Sequence, residues 1–82
     1  MNIILNRMSE PDRLAKLRKL AEFEGFDDPM ELVRSAIFDG VSPGLCVVCD
    51  ATAEVEPDQD RGYCENCREG FIVAAPVLAG II

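Results

Sequence analysis

The 82 residues predict an α+β protein in which an N-terminal two-helix hairpin packs on a small C-terminal zinc ribbon, a β-hairpin plus an apolar tail. Three observations carry that expectation. Before position 41, apolar residues recur at helical spacing between two sets of helix-start and helix-stop signals. Four cysteines follow in the pattern C-x2-C-x14-C-x2-C. The chain around them is β-prone and ends in an apolar run from Phe71 to Ile82.

Asn2 to Asn6 alternates loosely and predicts a short strand. Ser9-Glu10-Pro11-Asp12 reads as a helix start, with Ser9 as cap, Pro11 in the first turn and Asp12 closing a capping box. Leu14, Leu17, Leu20 and Ala21 then share one helical face, and Gly25 is a natural stop. Asp28 caps a second helix, with Pro29 as its first residue and Glu31 closing the box. Met30, Val33, Ala36 and Ile37 share its apolar face, Leu32 lies at the edge, and Gly40 ends it. Only Gly25 to Asp28 separates the helices, so they form a tight corner, with Phe23 and Phe26 expected in the core beside it. Val41-Ser42-Pro43-Gly44 reads as a linker. These signals divide the chain into a helical segment, 1–41, and a cysteine ribbon, 42–82, sharing one core.

In the ribbon, Thr52 to Glu56 alternates like a strand. Pro57 to Asp60 can turn the chain, and Arg61 to Tyr63 can return beside it as the second strand of a hairpin. Phe71-Ile72-Val73 is β-prone, while Pro76 argues against a central strand in the tail. That tail is too apolar for so small a ribbon to bury alone. It is expected to pack on Leu14, Leu17, Val33 and Ile37, closing one core over both halves; the alternative is pairing with a second chain, as a homodimer or as a partner-binding strand.

Each C-x-x-C lets a tight turn aim two thiolates at one point, and the intervening chain brings the second pair opposite the first. Four thiolates at about 2.3 Å from one ion make the tetrahedron of a structural Zn²⁺ site. The expected ligands are Cys46, Cys49, Cys64 and Cys67, with one zinc as cofactor. The chain has no His and no fifth cysteine. Such a site is closed to a catalytic water, and Ser or Cys nucleophiles have no His base, so the chain reads as a binding module and not an enzyme. Iron in a rubredoxin-like electron carrier would use similar knuckles, which usually carry Gly after the second Cys; here Asp50 and Arg68 follow. Two disulfides would need an oxidising compartment, and a thioredoxin-like motif a βαβ context.

The net charge of −7 divides into −2 over residues 1–41 and −5 over residues 42–82. Phosphate backbones bind through Lys and Arg, so an acidic ribbon favours a protein partner over nucleic acid. Glu54, Glu56, Asp58 and Asp60 read as a solvated strand face or a contact surface for a basic partner. Arg13, Lys16 and Lys19 read as the solvated outer side of the first helix, with phosphate contact as the alternative. Ile3-Ile4-Leu5 is too short for a signal h-region, the apolar tail is shorter than the roughly 20 residues of a membrane span, and Asn2 excludes N-myristoylation. The reading is a cytoplasmic chain, without membrane contact, whose thiols are reduced and available to a metal.

Two resemblances extend this reading. The stretch Glu56-Pro57-Asp58-Gln59-Asp60-Arg61-Gly62-Tyr63-Cys64-Glu65-Asn66-Cys67, with Val77-Leu78-Ala79-Gly80-Ile81-Ile82, resembles an uncharacterised family of small proteins of proteobacteria and their phages. Its members also begin with a helical segment containing an acidic Gly-Phe-Asp-Asp-like corner. The resemblance implies a zinc ribbon in a bacterial or phage-infected cytoplasm, and no settled function. Members often carry Gly near the second knuckle, where this chain has Arg68. Separately, Leu17 to Ile37, with Gly25-Phe26 and Glu31-Leu32-Val33-Arg34-Ser35-Ala36-Ile37, is similar to the helical part of ribbon-helix-helix repressors, which implies a dimeric DNA-binding transcriptional regulator. Those repressors read DNA with a preceding strand, whereas Asn2 to Asn6 holds no Lys or Arg. The expected function is a small structural-zinc module acting through protein contacts, phage-encoded and modulating a host machine. The alternatives are the DNA-binding regulator and the iron electron carrier.

Overall fold

A computed structural model of the chain describes residues 9–81. The strand expected over Asn2 to Asn6 lies outside the described residues, as does Ile82. Helix α1 (Glu10–Glu24) begins at Ser9, whose hydroxyl accepts the Asp12 backbone N–H at 3.3 Å. It ends at Gly25, which takes the left-handed conformation at φ 83°. There the N–H of Gly25 reaches the Glu22 carbonyl and the N–H of Phe26 reaches that of Ala21, a Schellman closure. Helix α2 (Pro29–Asp39) begins where the Asp28 carboxylate accepts the Met30 N–H at 3.0 Å, and ends at Gly40.

Four antiparallel strands follow: β1 (Ser42–Cys46), β2 (Thr52–Val55), β3 (Gly62–Tyr63) and β4 (Phe71–Ala74). Their order in the sheet is β2-β1-β4-β3. A one-turn helix, α3 (Ala75–Leu78), completes the described elements. The sheet is two hairpins, β1–β2 and β3–β4, joined through the pairs Gly44↔Ala74, Leu45↔Val73 and Cys46↔Ile72.

Two local expectations need correction. The expected linker is mostly strand, since Ser42 to Gly44 belong to β1, which lies inside the sheet. The turn-like residues have other reasons there. The Cys46 N–H goes to Ala51 on the β2 side and the Val47 N–H to Phe71 on the β4 side. By alternation the nitrogen of Pro43 faces the β4 side, beyond the last pair Gly44↔Ala74, so its missing N–H costs no ladder bond. A Cβ on Gly44 would stand 2.6 Å from Ile72 Cγ2, so close packing across β1 and β4 requires glycine. Buried Ser42 accepts the Ala75 N–H at 3.2 Å, giving α3 the cap that Ala74 lacks.

The strands expected around Thr52 to Glu56 and Arg61 to Tyr63 do form, as β2 and β3, but they do not pair with each other. They lie at opposite edges of the sheet. Each C-x-x-C knuckle is itself a hairpin turn, so each of these strands pairs across its own knuckle. The chain between them crosses to the far edge, where the Gln59 carbonyl accepts the Ala74 N–H at 2.9 Å.

One core spans both halves. Leu17, Leu20 and Ala21 of α1 meet Leu32 and Val33 of α2, Leu45 of β1, Val73 and Ala74 of β4, and Ala75, Val77 and Leu78 of α3. The apolar tail therefore packs within the chain against both helices. Of the helix residues expected beneath it, Leu17 and Val33 are in the core, whereas Leu14 and Ile37 are 39% and 49% exposed. Phe23 is also exposed, and Phe26 only partly buried against the core. The cause is the size of the cover. A single turn of helix and a narrow sheet reach only about one residue column on each helix, and on α2 that column is centred on Leu32, Val33 and Ala36.

Candidate metal centre

The four cysteines sit at the turns of the two hairpins. Cys46 is the last residue of β1, and Cys64 follows the end of β3. Each knuckle is closed in the same way: the Asp50 N–H bonds the Cys46 carbonyl at 3.1 Å, and the Arg68 N–H bonds the Cys64 carbonyl at 3.0 Å. The residues after both second cysteines are left-handed, Asp50 at φ 65° and Arg68 at φ 62°. These are the positions where glycine is usual in such knuckles.

All four sulfurs lie within 4.8 Å of one another, and the thiols are free. The Sγ–Sγ distances are 3.7 Å for Cys46–Cys67, 3.5 Å for Cys49–Cys64 and 3.7 Å for Cys64–Cys67. A tetrahedral ion with metal–sulfur bonds of about 2.3 Å has sulfurs about 3.8 Å apart, so the cluster can hold one metal ion with little movement. Cys46 and Cys64 are buried, while Cys49 and Cys67 are half-buried.

The surroundings suit thiolates. The Val48 and Cys49 N–H groups point at Cys46 Sγ (3.4 and 3.5 Å), the Gly70 N–H at Cys67 Sγ (3.3 Å), and the Asn66 side-chain amide at Cys49 Sγ (3.4 Å). Four thiolates around a divalent ion leave a net charge of −2, which such donors disperse. Gly70 is there for space: a Cβ would stand 2.5 Å from Cys46 Sγ. Asn66 and Gly70 were not foreseen as supports. Their signal was position, since each lies within three residues of Cys67.

Lys16 and Lys19 also have a role beyond solvation. Both bind the carboxylate of Asp50, at 2.5 and 2.8 Å, and tie the exposed side of α1 to the first knuckle. The Lys16 hydrogen bond, then that of Lys19, holds the Asp50 carboxyl below its ordinary value. Among the described residues, no helix is long and apolar enough to cross a membrane.

The thiols start from different protonation states. Burial pushes Cys46 up to about 12. The Asn66 amide, followed by the Ala51 N–H, brings Cys49 down to about 6. Cys64 is lowered, chiefly by the Cys67 N–H. At neutral pH, Cys49 is therefore mostly thiolate while Cys46 keeps its proton. A bound metal must displace that proton, so falling pH opposes binding. Competition with a chromophoric chelator should show affinity dropping monotonically from pH 8 to pH 5, more steeply once Cys49 also protonates. An affinity independent of pH would exclude ligation by these thiols.

Arg68 offers a separate test. An L-residue in the left-handed region is strained by about 1–2 kcal/mol, whereas glycine is not. Arg68 is exposed. After the larger unfolded-state entropy of glycine is allowed for, Arg68→Gly should stabilise the metal-loaded protein by about 0.5–1 kcal/mol. The check is a higher denaturant midpoint at unchanged slope; a lower midpoint would mean that the arginine side chain has a structural partner.

No family model matches this chain, and no curated protein or solved structure matches it either.

Proposed function

We propose that the protein is a small structural-zinc module of the bacterial or phage-infected cytoplasm that acts through protein contacts. The observation that carries this reading is the closed four-sulfur cluster at the junction of the two hairpins, with sulfurs at tetrahedral spacing and no histidine anywhere in the chain. Such a site supplies rigidity rather than an open coordination position. The exposed apolar residues of α2 support the contact role: Phe38 is 91% exposed, and Ile37 and Met30 are also exposed. Residues of that kind are candidates for covering by another protein.

DNA binding is the weaker reading. The cysteine half carries a net −5, and two of the six basic groups of the helical half, Lys16 and Lys19, are engaged by Asp50. The experiment is affinity capture from a bacterial lysate with the zinc-loaded and the chelated protein, beside a titration with duplex DNA. The expected result is a protein retained stoichiometrically by the zinc-loaded form and lost on chelation. Duplex binding that weakens steeply with salt, with no protein retained, would overturn the reading in favour of a regulator.

A further inference from the structure

Among the described residues, strand β2 is an edge of the sheet. By the alternation set at Cys46 and Ala51, the backbone groups of Ala51, Ala53 and Val55 face β1, and those of Thr52 and Glu54 face outward. Among the described residues, no strand pairs with that side. Beside it, between β2 and α2, runs a groove of about 410 Å³ whose apolar lining includes Phe26, Leu32 and Ala36. Its lining carries three carboxylates, Glu24, Asp39 and Glu54, and among the described residues no Lys or Arg lines it. β2 has neither Lys nor Pro, and its one charged residue is Glu54.

We infer that this edge and groove form a docking site for a basic, extended peptide segment of another protein, added to the sheet as a strand beside β2. The outward N–H and C=O groups of Thr52 and Glu54 supply the main-chain pairing. The three carboxylates supply the selection, attracting Lys or Arg side chains at alternate positions of the incoming strand. The same charges disfavour a second copy of this chain, whose own β2 would bring Glu54 and the net −5 of its ribbon half to an acidic edge. This inference rests on the reading that the protein works through protein contacts, and it names where and with what chemistry.

The probe is a short synthetic peptide alternating lysine with threonine and valine, titrated into the ¹⁵N-labelled, zinc-loaded protein. The expected result is saturable binding that weakens with salt, with amide shifts centred on Thr52, Glu54, Ser35 and Asp39. Glu54→Lys, an exposed change on the edge, should weaken binding by about tenfold, and Asp39→Lys should weaken it similarly. A peptide N-methylated at alternate residues should fail to bind, which tests strand pairing without touching the protein. Equal binding by the N-methylated peptide or by a glutamate version would overturn the inference. So would shifts confined to the exposed face of α2, or concentration-dependent dimerisation that protects β2. If Glu54→Lys and Asp39→Lys leave lysate capture intact, this site is wrong while the protein-contact reading stands.

Discussion

Cys64→Ser is expected to lose the bound metal and, with it, the cooperative thermal transition. The binding free energy of a structural zinc site is about 10–16 kcal/mol, as large as the whole stability of a small domain. Cys64 is buried at the junction of the hairpins and lies 3.5 Å from Cys49 Sγ and 3.7 Å from Cys67 Sγ, so its loss removes a buried vertex of the tetrahedron. The damage should spread beyond the knuckles. Cys46 ends the strand that carries Leu45, and the second knuckle leads into the strand that carries Val73; both side chains are fully buried beneath the helices. The check is thermal unfolding of parent and variant, each in zinc and in excess chelator. The parent should show a sharp zinc-dependent transition and the variant should resemble the chelated parent. Identical transitions in all four samples would mean that the core holds without the staple.

Removing Val77 to Ile82 should be nearly as damaging, by a different route. Val77 and Leu78 are 5% and 0% exposed and touch both helices through the shared core. Exposing each would cost about 1.5–3 kcal/mol, and the void left between α1 and α2 adds to that. The truncated chain is expected to lose most of its stability even when saturated with zinc. Ile81 is half exposed, so Val77 and Leu78 should account for much of the loss. Leu78→Ala should accordingly reproduce a large part of it, about 2–5 kcal/mol. The readout is the urea midpoint together with the mass by light scattering. A truncated chain of unchanged stability whose mass halves would make the tail an interface between chains.

The helices were legible because their end signals act locally. Ser9, Gly25, Asp28 and Gly40 each satisfy backbone groups within a few residues of themselves, so sequence alone places them. The cysteine cluster was legible for a similar reason, since two tight turns suffice to converge each pair. The packing of the tail on both helices was also foreseen, from its apolar excess, but the other features that depend on a distant partner were not. Pro43 and Gly44 look like a linker unless it is known that β4 stops opposite Gly44 and that Ile72 lies against it. Lys16 and Lys19 look solvated until Asp50, more than thirty residues away, is brought alongside. Leu14 and Ile37 fit an apolar face, but periodicity does not say how wide a cover the rest of the chain provides. The strand pairing failed because two successive strand-like stretches suggest one hairpin, whereas each was committed to its own knuckle.

Cys46, Cys49, Cys64 and Cys67 are positioned to hold one metal ion, proposed to be a structural zinc. The most direct test of that proposal is native mass spectrometry with elemental analysis on protein purified under reducing conditions. One zinc per chain is expected, with all four thiols shielded from alkylation until a chelator is added. Sub-stoichiometric metal with four freely reacting thiols would contradict it, and stoichiometric iron with a coloured protein would replace the staple by an electron carrier.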